Sequence, residues 1–253
     1  MCDVCGCGDP RRVSVDVHAS LLARNDSEAS HLREHFHKDG VLVLNVMGSP
    51  GSGKTALIEA TAGTLLGRLR LAAVSADLAT ALDAERLGRA GVFSMPITTG
   101  SACHLDAAMV HHALHDERLA QAVRTADVFF IENVGNLVCP ALYDLGQSAN
   151  VVVLSTTEGV DKPLKYPVMF HKADLVVVTK IDLLPHLPGV SLAELRSNIE
   201  RVTPAATTIE LSATSGAGVA DFVGWIELCR ARDRVGGGRG ERTVRGVRHR
   251  TGP

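Results

Sequence analysis

Gly48-Ser-Pro-Gly-Ser-Gly-Lys-Thr55 has the full spacing G-x-x-x-x-G-K-[ST]. In such a loop Gly48, Gly51 and Gly53 let backbone N–H groups turn inward around phosphate oxygens, with Ser49, Pro50 and Ser52 completing the turn and Pro50 offering no N–H of its own. Lys54 reaches the β/γ-phosphates, and Thr55 offers a hydroxyl to Mg²⁺. A helix starting at Ala56 aims its positive end at the same anion. The plain alternative is a Gly-rich turn with no ligand, but a complete motif between strand and helix argues for a nucleotide.

A second motif selects the base. Thr179-Lys-Ile-Asp182 is T-K-x-D after an apolar run. The Asp182 carboxylate is acceptor-only and can grip the adjacent N1–H and 2-amino donors of guanine, whereas adenine presents an acceptor at N1. Lys180 can lay its apolar stem along the base. Ser212-Ala213 resembles the short element whose backbone contacts guanine O6. Together these favour GTP over ATP. GTPases with this pattern usually carry Asn where Thr179 stands, and a hydroxyl replaces only part of what an amide can bond.

The soft ligands form a third group. Cys2, Cys5 and Cys7 crowd the first seven residues, Cys103-His104 are adjacent, and Cys139 follows in NLVCP. Thiol clusters suit zinc, copper, iron–sulfur and nickel alike. Taken singly, Cys103, His104 and Cys139 read equally well as packed or capping residues; their placement near a nucleotide-responsive segment favours metal. Asp77 and Glu132, each at the end of an apolar run, are candidates to approach magnesium, because hard cations take oxygen ligands. Asp77 reads alternatively as a helix cap. Gly135 can bend the chain toward a γ-phosphate. His111, His112 and His115 read as a helix face, and His31, His35 and His37 as helix-end residues.

These groups need a scaffold. Residues 41–47, 71–76, 128–131, 151–155, 175–179 and 207–212 are short, continuous and β-branched, as expected of parallel strands covered on both faces. Helical stretches alternate with them, among them 56–69, one continuous helix over 106–123, and 191–202. Leu21, Leu22, Ala29, Leu32 and Phe36 mark one side of a helix before the first strand. The alternation predicts an α/β fold: a doubly wound, mostly parallel sheet with helices on both faces, a P-loop NTPase of the SIMIBI type. Ligands then gather at the strands' carboxyl ends.

The chain has 253 residues, 45% of them hydrophobic, and a net charge of −2. This is ample for one α/β domain and excludes a disordered class. From Val235 onward five Arg face one Glu, leaving the body near −6. That tail reads as a solvated extension rather than a nucleic-acid binder. No apolar run reaches the ~18 residues of a membrane span. Without a secretory pattern, clustered cysteines favour metal over disulfides, and a cytoplasmic location is expected. The expected division is residues 1–12 as a flexible metal-binding segment, 13–232 as the GTPase domain with its leading helix, and 233–253 as a disordered Arg/Gly-rich tail.

CDVCGCG, GSPGSGKT, TGSACHLDA, ENVGNLVCP and TKIDLLP, in this order, resemble the HypB family, the GTPases that assist nickel insertion into [NiFe]-hydrogenases. The resemblance runs from Cys2 to about Trp225. It implies GTP hydrolysis involving Lys54, Thr55, Asp77 and Glu132, with Mg²⁺. It implies a high-affinity nickel site at Cys2, Cys5 and Cys7, and a weaker zinc or nickel site near a dimer interface at Cys103, His104 and Cys139. It also implies GTP-dependent homodimerisation, a HypA-type nickel accessory protein as partner, and a hydrogenase large-subunit precursor served indirectly. Thr179 and the loose switch SADLATALD depart from the family pattern, and no polyhistidine tract precedes the P-loop. A urease-type or cobalamin-associated GTPase chaperone and a simple metal-storage protein are the rival readings.

Overall fold

The computed structural model describes residues 10–65, 67–77, 80–100 and 102–235, with side chains over 20–233 outside the same gaps. In chain order the elements are α1 (Pro10–Asp39), β1 (Leu42–Gly48), α2 (Lys54–Leu65), β2 (Leu71–Asp77), α3 (Leu82–Arg89), β3 (Phe93–Thr98), α4 (Ala107–Ala113), α5 (Glu117–Thr125) and β4 (Val128–Glu132). Then come β5 (Ala149–Ser155), α6 (Lys162–Lys165), α7 (Pro167–His171), β6 (Leu175–Thr179), α8 (Leu192–Val202), β7 (Thr207–Glu210) and α9 (Val219–Val235). Short 3₁₀ turns cover Cys139–Leu142, Thr156–Glu158 and Ile181–His186.

All seven strands are parallel, in the order β3-β2-β4-β1-β5-β6-β7. β1, β4 and β6 are buried along their whole length, as their unbroken apolar runs dictate. Alternate residues feed two faces. Leu44, Val46, Phe130 and Val151 pack against Leu57 and Ile58 of α2 and Phe222 of α9. On the other side Val43, Phe129 and Ile131 meet Leu32 and Phe36 of α1 and Val110 of α4, while Val152 and Val176 meet Phe170 of α7 and Leu195 of α8. The chain runs outward from β1 to β3, returns to insert β4, then crosses to β5. β1 therefore ends at the crevice where the winding reverses, which is where such sheets bind ligands.

Three expectations are corrected. Phe93–Thr98 is a strand that the sequence pattern did not reveal, so Glu132 closes the fourth strand and not the third. β3 sits at the sheet edge, partly exposed and interrupted by Pro96, and lacks the continuous apolar signature. The helix expected over 106–123 is two helices. The Asp116 side chain accepts the Arg118 and Leu119 N–H groups at 2.9 and 3.4 Å, which ends one helix and caps the next. On α1, Leu21 is exposed, and the inward stripe runs through Asn25, Ala29, Leu32 and Phe36 instead. α1 begins at Pro10, and α9 reaches Val235. Among the described residues no helix is long and apolar enough to cross a membrane.

Candidate functional site

The phosphate loop leaves β1 at Gly48 and enters α2 at Lys54. Positive φ at Gly48, Gly51 and Gly53 lets the backbone close this turn without Cβ clashes. Lys54 is buried, and its Nζ donates to the Gly48 and Ser49 carbonyls at 3.3 and 3.1 Å. Burial lowers its pKa, and the carboxylates of Glu132, Asp83 and Glu158 oppose that shift. Ser49 Oγ donates to Glu158 Oε2 at 2.5 Å, while Glu158 Oε1 caps the Ser155 turn at 2.8 Å.

Thr55 Oγ1 lies 2.6 Å from Glu132 Oε1 and 3.0 Å from Asp83 Oδ1. Glu132 also accepts Ser75 Oγ at 3.0 Å and is buried. Desolvation pushes its pKa up, and the Thr55 bond and the Lys54 charge pull it back. A single hydroxyl between two carboxylates is an all-oxygen donor set of the kind that fits a hard divalent cation. Asp83 was not singled out from the sequence, although it closes the loose switch SADLATALD, because the carboxylate read there was Asp77. Asp77 ends β2, and its Oδ1 accepts the Thr80 N–H at 3.0 Å; it does not cap α3, whose N-cap is Ala81 with no side-chain bond, so the helix-cap alternative fails.

The T-K-x-D segment is tied to this loop. Thr179 is buried and its Oγ1 donates to the Ser52 carbonyl at 2.6 Å. Lys180 adopts φ +60°, rare outside glycine, and its Nζ donates to the Gly51 carbonyl at 2.7 Å. Thr156 Oγ1 donates to the Lys180 carbonyl at 2.9 Å. The Ile181 N–H reaches the Leu211 carbonyl at 3.4 Å, which brings Ser212 and Ala213 beside Asp182, itself exposed on its 3₁₀ turn. Ser212 is fully buried and accepts the Ser215 N–H at 3.1 Å.

The internal soft ligands converge. Cys103 Sγ is 3.0 Å from Cys139 Sγ and 3.8 Å from His104 Nδ1, and the three ligand atoms all lie within 4.8 Å of one another. Among the described residues this is the one group of three or more His, Cys, Asp or Glu side chains with metal-binding spacing. The His104 ring stacks on Tyr143 at 3.9 Å, and desolvation lowers its pKa, which favours the neutral, ligating imidazole. Sharing a proton with Cys103 raises the Cys139 pKa. Cys2, Cys5 and Cys7 lie outside the described residues.

One stretch joins the two sites. From Glu132 it passes Gly135, where a Cβ would fall 2.8 Å from Pro50 N and Cα, so the chain presses on the phosphate loop. Asn136 bridges Gly48 through its backbone, and its Oδ1 accepts the Val138 and Cys139 N–H groups at 2.8 and 3.3 Å. Asn133 Oδ1 accepts the Leu105 N–H at 3.1 Å, which holds the Cys103-His104 segment to the same stretch.

Residues 42–210 match the family described as CobW/HypB/UreG, nucleotide-binding domain. The hydrogenase maturation factor HypB of Rhizobium leguminosarum is 46% identical over 224 residues, covering 87% of this chain and 72% of that protein. This chain belongs to the HypB family. HypB of Azotobacter vinelandii is 47% identical over 85% of this chain and 69% of its own. The crystal structure of HypB from Helicobacter pylori in complex with nickel superposes with a TM-score of 0.78 at 35% identity, covering 89% of this chain and 99% of that one. The resemblance drawn from ENVGNLVCP and CHLDA thus holds over nearly the whole HypB fold. The rival readings as a storage module or as a chaperone of another family give way to it.

Proposed function

We propose that this chain hydrolyses GTP and uses the cycle to deliver nickel during maturation of [NiFe]-hydrogenase. The observation that carries this reading is the stretch from Glu132 to Cys139, which touches Thr55 at one end and completes the Cys103-His104-Cys139 cluster at the other.

Backbone N–H groups of the 48–53 loop other than Pro50, together with Lys54, hold the GTP phosphates, and Asp182, Lys180, Ser212 and Ala213 hold guanine. Thr55, Asp83 and Glu132 fit Mg²⁺, with Asp77 nearby in sequence; when bound, the ion neutralises charge developing on the transferred phosphoryl group. The chain's own share is positioning. Thr179 and Lys180 fix the loop that carries the phosphates, and Glu132 keeps Thr55 oriented. Nickel is cargo, held first at Cys2, Cys5 and Cys7 of the leading segment and then at the internal cluster, which also suits zinc. A nucleotide-dependent homodimer would bury Val138 and Leu142, exposed on either side of Cys139. A HypA-type protein would pass the nickel on to the hydrogenase precursor. A cytoplasmic setting agrees with free thiols at the cluster.

The test is a nickel titration of the purified protein with GDP and with a non-hydrolysable GTP analogue. Different affinities in the two states are expected. Equal affinities reject the coupling, because a ligand shifts only an equilibrium that it binds differentially.

A further inference from the structure

We propose that Asn25 of α1 is a positioning residue for the Cys103-His104-Cys139 site; this rests on the reading of that cluster as a metal site. Asn25 lies on neither ligand-bearing segment and bonds to both. Its Oδ1 accepts the Ala107 N–H at 2.9 Å, three residues after His104. Its Nδ2 donates to the Asp144 carbonyl at 2.9 Å, five residues after Cys139. One amide thus joins two stretches that the sequence keeps far apart, and a side chain with both an acceptor and a donor is needed for it.

The clamp is rigid for three reasons. Asn25 is buried, so its bond to Ala107 is made away from competing water and its bond to Asp144 is partly shielded. Ala29, Leu32 and Phe36 bury the following turns of α1, which fixes where Asn25 stands. Beyond Asp144 the chain is pressed onto the same helix: at Gly146, φ +76°, a Cβ would fall 2.8 Å from the Ala29 carbonyl oxygen and 2.9 Å from Arg33 N. Arg33 adds a bidentate pair to the Asp144 carboxylate at 2.6 Å, but that pair is exposed and touches only one segment.

Metal–thiolate and metal–imidazole bonds tolerate only tenths of an ångström, so two ligand segments on separate loops need an external brace. Loss of an orienting outer partner typically costs about 10–100-fold in metal affinity. Asn25 is such a brace, and it makes α1 part of the site.

The experiment uses the full chain with Cys2, Cys5 and Cys7 changed to Ser, so that only the internal cluster is read. Co²⁺ and Ni²⁺ are titrated and followed by thiolate charge-transfer absorption. Asn25→Ala is expected to weaken binding about 10–100-fold and to alter the bands. Asn25→Asp, which keeps the acceptor for Ala107 and removes the donor to Asp144, is expected to weaken it too. Arg33→Ala removes a bond between α1 and Asp144 without touching Ala107, and is expected to leave affinity and spectrum unchanged. GTP-analogue binding serves as the check that each variant is folded. Wild-type-like titrations in both Asn25 variants overturn the proposal, and so does an equal loss in Arg33→Ala. A parent protein without thiolate bands overturns the metal reading itself, and the role of Asn25 with it.

Discussion

Asn136 holds the amide of Cys139 at 3.3 Å while its own backbone bridges Gly48 of the phosphate loop. A displacement of the loop by nucleotide therefore has a direct mechanical route to a thiol. Asn136→Ala frees the Val138 and Cys139 amides and leaves the ligand atoms in place. The expected result is that nickel still binds, with the difference between the GDP and GTP-analogue states cut by about half or more. Calorimetric titration in both states reads this directly.

Thr179, standing where related GTPases usually carry Asn, ties the base-binding segment to the phosphate loop at Ser52. Thr179→Val preserves shape and leaves a buried carbonyl without that donor, at a cost of about 1–3 kcal/mol. GTP affinity should fall roughly tenfold or more. Thr179→Ser should fall much less. Fluorescent-nucleotide titration separates the two.

Gly135 faces Pro50 so closely that any side chain must push backbone against backbone. Overpacking of this kind costs about 1–3 kcal/mol. Gly135→Ala should therefore weaken nucleotide binding about tenfold. Retention of full affinity would show that the two strands of chain can part freely.

Cys229 packs against the core on the α9 side, and desolvation pushes its pKa from 9.0 to about 12. Between these values the folded state binds the proton that the unfolded state has lost, so stability falls as pH rises from about 9 toward 12. Cys229→Ala should flatten that part of the denaturation profile. In the native protein at pH ~8, iodoacetamide should modify Cys229 far more slowly than it does in the unfolded chain, because the thiolate is the reactive form.

Legibility in the sequence followed the range of the interactions. The phosphate loop was readable because all its chemistry lies within Gly48–Thr55, and five strands were readable because burial leaves a nearly unbroken apolar run; β7, a half-buried edge strand, was readable from its β-branched residues instead. β3 was not, since an edge strand with Pro96 carries neither an apolar run nor a clean alternation. Asp83 was missed because nothing local distinguishes an acid that meets Thr55 from one at a helix start. Cys103, His104 and Cys139 were each readable as candidates, but their meeting depends on where β4 inserts and on bonds from Asn133 and Asn25, which spacing cannot reveal.

The placement of Pro96 on β3 has a consequence for assembly. A proline opposite Ser75 has no N–H to offer a newcomer, and β3 forms one border of the sheet. The other border, β7, is only four residues long. Neither flank is a good template for adding a strand from another chain. Copies of this protein are thereby steered away from lateral stacking, which leaves loops and helices as the surfaces open to pairing.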